Sequence, residues 1–158
     1  MTDATAAQGQ TVVLQGRGLV AGLAEGEAFV TRQRIAGWGG VDSSTGTIIE
    51  SRHEARGRSF AGQVLVFPGI KGSSGGSGVF HMNRLESASP RALVFNAMNT
   101  KAALIVAVSH IPCVTDLDAD PLEVIADGDW VVVDGAAGVV TVRKAAPVGG
   151  PVPSGEGR

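Results

Sequence analysis

The run Val66-Phe67-Pro68-Gly69-Ile70-Lys71-Gly72-Ser73-Ser74-Gly75-Gly76-Ser77-Gly78-Val79-Phe80 ends an apolar segment at a proline, crosses glycine and serine, and re-enters apolar sequence. That order predicts a strand, a loop and a helix. Pro68 lacks an N–H for a sheet ladder, so the strand must stop there. The spacing of Val79, Met82 and Leu85 predicts a helix over 78–86 with those three side chains on one face.

Outward from this crossover, short β-branched runs alternate with glycine punctuation. Strands are expected at 11–15, 27–32, 47–50, 63–67, 92–96, 130–134 and 139–143. Gly135-Ala136-Ala137-Gly138 between the last two reads as a hairpin turn. Residues 100–108 are ambiguous, because alanine and leucine favour helix and the Ile-Val pair favours strand. Asp120 before Pro121 predicts a short helical turn over 121–126. The fold class expected is α/β and strand-rich, a layered β/β/α domain over 11–144. Residues 1–10 and 145–158 are small, polar or rich in Pro and Gly, and read as disordered tails.

Composition narrows the function classes. At 158 residues, 44% of them hydrophobic, the chain is expected to fold as one domain with a real core. A formal net charge of −2 argues against nucleic acid as a partner, since phosphate contacts need clustered cations. Arg17, Arg32, Arg34, Arg52, Arg56 and Arg58 are spread without aromatic interleaving and read as a solvated face. The single cysteine, Cys113, forms no internal disulfide and holds no iron–sulfur cluster alone. No apolar run reaches the ~20 residues of a membrane span, and no signal-like segment opens the chain, so a cytoplasmic protein without membrane contact is expected.

Several motifs fail on their spacing. Gly16-Arg17-Gly18-Leu19-Val20-Ala21-Gly22 has its third glycine one residue late for dinucleotide binding and reads as a turn. The loop at 69–78 lacks the GK[ST] of a phosphate-binding P-loop. It matches G-x-S-x-G through Ser74, but Pro-Gly-Ile-Lys-Gly intervenes after the strand and His110 is the last histidine, against a hydrolase elbow. Asp116-Leu117-Asp118-Ala119-Asp120 puts Pro121 where a calcium loop needs glycine, so capping is expected of it. His53, His81 and His110 have no ligand spacing, and Cys113 reads as a small core residue. Successive N–H groups beside a helix start can hold an anion, and a serine stabilised by them could act as a base. The residue types leave that reading and a plain Gly/Ser turn both open.

The loop has company. Trp38-Gly39-Gly40-Val41-Asp42, Gly46-Thr47-Ile48-Ile49, His53-Glu54, Gln63-Val64-Leu65-Val66-Phe67-Pro68, Gly72-Ser73-Ser74-Gly75-Gly76-Ser77-Gly78 and Ile111-Pro112-Cys113-Val114 follow in order. Together they resemble the small subunit, or swivel domain, of the aconitase X family, over about Gly16 to Val142. The resemblance implies a swivelling β/β/α domain that caps the active site of an aconitase X large subunit in a heterodimer. Family members are hydro-lyases that remove water from a hydroxylated carboxylic acid. An iron or iron–sulfur centre in the large subunit acts on the departing hydroxyl, and the small chain itself binds no cofactor or metal.

Matched residue by residue, Ser73 is the implied catalytic base, with Gly72, Ser74, Lys71 and Gly40 implied in substrate binding. Gly75 stands where aconitases proper carry arginine, and Cys113 replaces the usual aliphatic residue after Ile-Pro. The family holds cis-3-hydroxy-L-proline dehydratases and mevalonate 5-phosphate dehydratases. Ten Arg against three Lys, with abundant Ala and Gly, suggests a GC-rich bacterial gene and hence cis-3-hydroxy-L-proline; mevalonate 5-phosphate or a non-catalytic swivel domain are the alternatives.

Overall fold

The structure, a computed structural model, describes residues 10–72, 75–96 and 99–145. The expected tails therefore fall almost wholly outside the described residues. The described strands are β1 (Thr11–Gln15), β2 (Arg17–Val20), β3 (Leu23–Val30), β4 (Ile35–Ala36), β5 (Val64–Val66), β6 (Ile70–Lys71), β7 (Ala92–Val94), β8 (Cys113–Thr115), β9 (Trp130–Asp134) and β10 (Val139–Arg143). The described helices are α1 (Gly76–Leu85), α2 (Thr100–Ser109) and α3 (Pro121–Val124).

Strand order is β1-β10-β9-β3-β5-β7-β8-β2, with β4 and β6 as a separate parallel pair. β3 belongs to two sheets. Its first half, Leu23 to Glu27, pairs antiparallel with β9, and Ala28 to Val30 pair parallel with β5. The first layer is thus β1, β10, β9 and the start of β3. The second is the end of β3 with parallel β5 and β7, then β8 and β2. The strands at the two ends of the order, β1 and β2, are separated only by Gly16.

Alternation along the second sheet explains the layering. Val64, Val66, Ala92, Val94 and Val114 face the first sheet and pack with Leu14, Val131, Val133, Val140 and Val142. Leu65, Leu93, Cys113 and Phe29 point the other way, into a core with Phe60, Phe80 and Ile105. Strands buried on both faces read as continuous apolar runs, as these do. The result is the expected β/β/α arrangement, with α1 and α2 packed against each other over the outer face. Phe60 is the hinge of the outer core: its ring stacks on Phe80 at 5.7 Å and meets Phe29 edge-on at 6.3 Å.

Several expectations change in detail. The expected strand at 47–50 is instead part of a turn-rich excursion held by isolated bridges, Val41 to Ile48 and Thr47 to Ser59. The strand expected at 27–32 begins at Leu23 and ends at Val30, because pairing with β9 recruits residues with no β-branched signal. The ambiguous segment is helix α2, whose buried Ala102, Ile105, Val106 and Ser109 follow helical spacing.

The helix after the glycine loop forms, but on a different face. Gly76, Val79, Phe80 and Asn83 are buried, whereas Met82 and Leu85 are exposed. Asn83 is drawn inward because its Nδ2 donates to the carbonyls of Asp42 (3.2 Å) and Ser43 (2.7 Å). Gly16 to Gly22 is likewise not a simple turn, since Gly18 lies within β2. A Cβ on Gly18 would stand 1.8 Å from the Gly135 carbonyl oxygen, so glycine permits β2 to cross the β9–β10 hairpin.

Candidate functional site

The glycine loop leaves the C-terminal side of the parallel strands, where open α/β sheets present their ligand crevices. After β5 and Pro68, β6 runs parallel to β4 in the register Ile35 with Ile70 and Ala36 with Lys71. The Ile35 N–H donates to the Gly69 carbonyl at 3.1 Å. This two-stranded piece sets Trp38-Gly39-Gly40 beside the start of α1. Gly37 lies directly against Gly76: a Cβ there would be 2.5 Å from the Gly76 Cα. Gly72 has φ of +95°, a backbone region that glycine adopts without the penalty other residues meet.

The residues expected at the site divide into groups. Ser73 and Ser74 lie outside the described residues. Lys71 and Gly72 share a hollow of about 400 Å³ with Arg34, Ile70, Asn99, Thr100 and Lys101. Gly40 is not on that wall. It is buried, and a Cβ there would come within 2.1 Å of the Ala36 carbonyl oxygen. Its carbonyl accepts from Ile49 N–H at 2.8 Å, so this glycine shapes the turn that supports the loop. Lys71 Nζ donates to Glu50 Oε2 at 2.8 Å.

The other segments of the family resemblance brace this corner. Asp42 Oδ1 accepts from Ser44 Oγ (2.8 Å) and Ser44 N–H (2.9 Å), and the Ser44 hydroxyl foremost holds its carboxyl below the usual range. Glu54 Oε2 accepts from the Thr31 hydroxyl and from Arg32 N–H, both at 2.6 Å, and its pKa is lowered chiefly by that hydroxyl. His53 is buried: Nδ1 accepts from Ala55 N–H at 3.0 Å and Nε2 meets the Arg34 carbonyl at 3.2 Å. A neutral ring with its proton on Nε2 satisfies both contacts. His53 is thus a satisfied histidine, and it anchors the backbone of Arg34.

Sequence reasoning missed Arg34, Thr100 and Lys101 as neighbours of the loop. The local signal for α2 was present in Asn99, a good N-cap residue, whose Oδ1 accepts from Ala102 N–H at 2.8 Å. Nothing local says that this helix start faces residues 71–72.

The acidic triplet has structural duties, as expected. Asp116 pairs with Arg17 at 2.9 Å, Asp118 Oδ1 accepts from Gln15 N–H at 3.1 Å, and Asp120 caps α3 through Leu122 N–H at 2.9 Å. Among the described residues, no group of three or more His, Cys, Asp or Glu is placed to hold a metal ion. Cys113 is buried, and burial pushes its thiol up to about 12, which does not fit a thiolate ligand. Among the described residues no helix is long and apolar enough to cross a membrane.

The family description "Aconitase X swivel domain" matches residues 13–142. The chain belongs to the aconitase X swivel-domain family. Its relatives include the phosphomevalonate dehydratase small subunit of Methanocella arvoryzae, 43% identical over 80% of this chain and 96% of that protein. The protein of the same name from Methanothrix thermoacetophila is 45% identical over 77% of this chain and 88% of its own length. Among solved structures, aconitase X from Thermococcus kodakaraensis in its holo-form superposes with a TM-score of 0.77 and 34% identity, covering 84% of this chain and 99% of the other. The β/β/α layering read from the crossover, and the swivel domain implied by the resemblance, therefore agree with the family and with a solved member of it.

Proposed function

We propose that this chain is the small subunit of a two-chain hydro-lyase that dehydrates mevalonate 5-phosphate, with Ser73 as the proton acceptor. The observation that carries the reading is the likeness to relatives named phosphomevalonate dehydratase small subunit, over 96% of the length of one of them. Those relatives favour the phosphorylated hydroxy acid over cis-3-hydroxy-L-proline, which compositional bias favoured.

Dehydration of a 3-hydroxy acid takes a proton from the carbon beside the carboxylate. The hydroxyl leaves the next carbon with its bonding electrons, a carbon–carbon double bond forms, and proton and hydroxide account for the water. A serine performs the first step only where dipoles favour its alkoxide and bulk water is excluded. Gly72 on one side of Ser73 and the start of α1 on the other supply a backbone suited to that demand. Exclusion of water falls to a large subunit closing over this corner. In this reading the iron centre implied by the family resemblance is assigned to the proposed partner.

The test is co-expression with a large subunit in the presence of iron, followed by dehydration assays on both acids. Turnover of mevalonate 5-phosphate, dependent on both chains, is expected. Turnover of cis-3-hydroxy-L-proline instead would restore the other substrate.

A further inference from the structure

The hollow beside Gly72 has a charge pattern unlike that of the larger one on this molecule. The larger hollow, about 500 Å³, is lined by Arg32, Arg58 and Lys144. Each of these cations is matched: Arg32 by Glu123, Arg58 by Asp127 and Lys144 by Asp129. In the hollow of about 400 Å³, only Lys71 is matched, through Glu50. Arg34 and Lys101 carry no ion pair among the described residues, and no acidic residue stands on the hollow's wall.

The same wall includes the start of α2, a ten-residue helix with no acidic residue in its first turn. The Asn99 side chain caps Ala102 N–H, and Ala103 N–H bonds the Asn99 carbonyl. Among the described residues, the amides of Thr100 and Lys101 remain as uncapped donors at the positive end of the helix. Two cations and a helix start, unmatched among the described residues, together with Thr100 thus line one concave surface. Planar guanidinium and helix-start amides together suit the oxygens of a phosphate better than a single carboxylate, because several charge-assisted bonds can be made at once.

Resting on the dehydratase reading, we propose that this hollow, formed by Arg34, Lys71, Gly72, Thr100 and Lys101, binds the phosphate end of a phosphorylated hydroxy acid. The phosphate of mevalonate 5-phosphate lies at the far end of the molecule from its carboxylate. A small subunit that grips it selects for the phosphorylated acid while the reacting end is handled near Ser73. Arg34 is held in place from behind by the His53 contact to its carbonyl, and β4 fixes the residue after it.

The experiment has two arms. In the first, the full chain is titrated with inorganic phosphate, and separately with acetate, while the amide NMR signals of Thr100 and Lys101 are followed. Saturable shifts with phosphate, absent with acetate and lost in the Arg34→Ala/Lys101→Ala double variant, are expected. Equal response to acetate, no response, or a response untouched by the double variant would overturn the subsite. Both positions are exposed, and unchanged signals elsewhere establish that the variant folds.

In the second arm, the reconstituted two-chain enzyme carries Arg34→Ala or Lys101→Ala. KM for mevalonate 5-phosphate should rise about tenfold or more with kcat little changed. An unchanged KM would contradict the assignment. Saturable phosphate binding in an enzyme that turns over only cis-3-hydroxy-L-proline would retain the subsite and remove the substrate reading. Turnover of mevalonate 5-phosphate with neither arm affected would do the reverse.

Discussion

Asp129 shows how one buried side chain ties the segment just after β10 to the sheet. Burial pushes its pKa up, but Lys144 Nζ and the N–H groups of Ala126 and Ala145 outweigh that and hold it below 3.8. The depressed value fixes the sign of the pH dependence. The unfolded chain binds the proton more readily, so this stabilisation is complete above the ordinary pKa of 3.8 and is lost as pH falls through the lower folded value. Asp129→Ala should cost about 2–3 kcal/mol in chemical denaturation at neutral pH, since it removes the counter-charge of a partly buried ammonium, which keeps only the Val124 carbonyl, and the acceptor of two amides. The wild-type chain should also show an acid-induced loss of stability that this variant lacks in part. Cys113 gives a second residue-scale outcome. With its thiol buried and pushed up to about 12, it should resist thiol reagents in the folded protein and react fully once unfolded.

At the scale of elements, the corner formed by β4, β6 and α1 depends on the absence of side chains. Gly37→Ala would place a methyl 2.5 Å from the Gly76 Cα, so the Gly37 to Gly40 turn must move away from the helix start. We expect retained circular dichroism with a large loss of turnover in the assembled enzyme; unimpaired turnover would show that the close approach is dispensable. Removing the α3 cap, Asp120→Ala, should cost only about 1 kcal/mol.

These elements were unevenly legible. β9 and β10 were readable to the residue because β-branched runs flank a glycine hairpin whose geometry is local, and β1 because Gly16 ends its apolar run. β2, β4, β6 and β8 were not; these short strands are defined by their partners rather than by a pattern of their own. The buried face of α1 was misread for a related reason: Asn83 is internal only because Asp42 and Ser43, about forty residues away, offer it carbonyls. At the site, the Gly72 conformation was foreshadowed by residue type. The approach of Arg34 and Lys101 to it was not, since it arises from the packing of β4 and α2 around β6.

For the whole molecule, the second sheet is covered on both faces and leaves the corner of β4, β6 and α1 open. Trp38, 71% exposed, projects from the turn braced against α1. An arrangement of this kind fits half of an active site, completed by a second chain that shields the loop. The central claim is that this chain contributes the proton acceptor, Ser73, to that composite site. The direct measurement is kcat for mevalonate 5-phosphate in the reconstituted enzyme bearing Ser73→Ala, with complex formation checked by size-exclusion chromatography. The variant should assemble with its partner and keep KM close to the wild-type value, while kcat falls about 10²-fold to 10⁴-fold, the range for loss of a general base. A fully assembled Ser73→Ala enzyme with wild-type kcat would contradict the account.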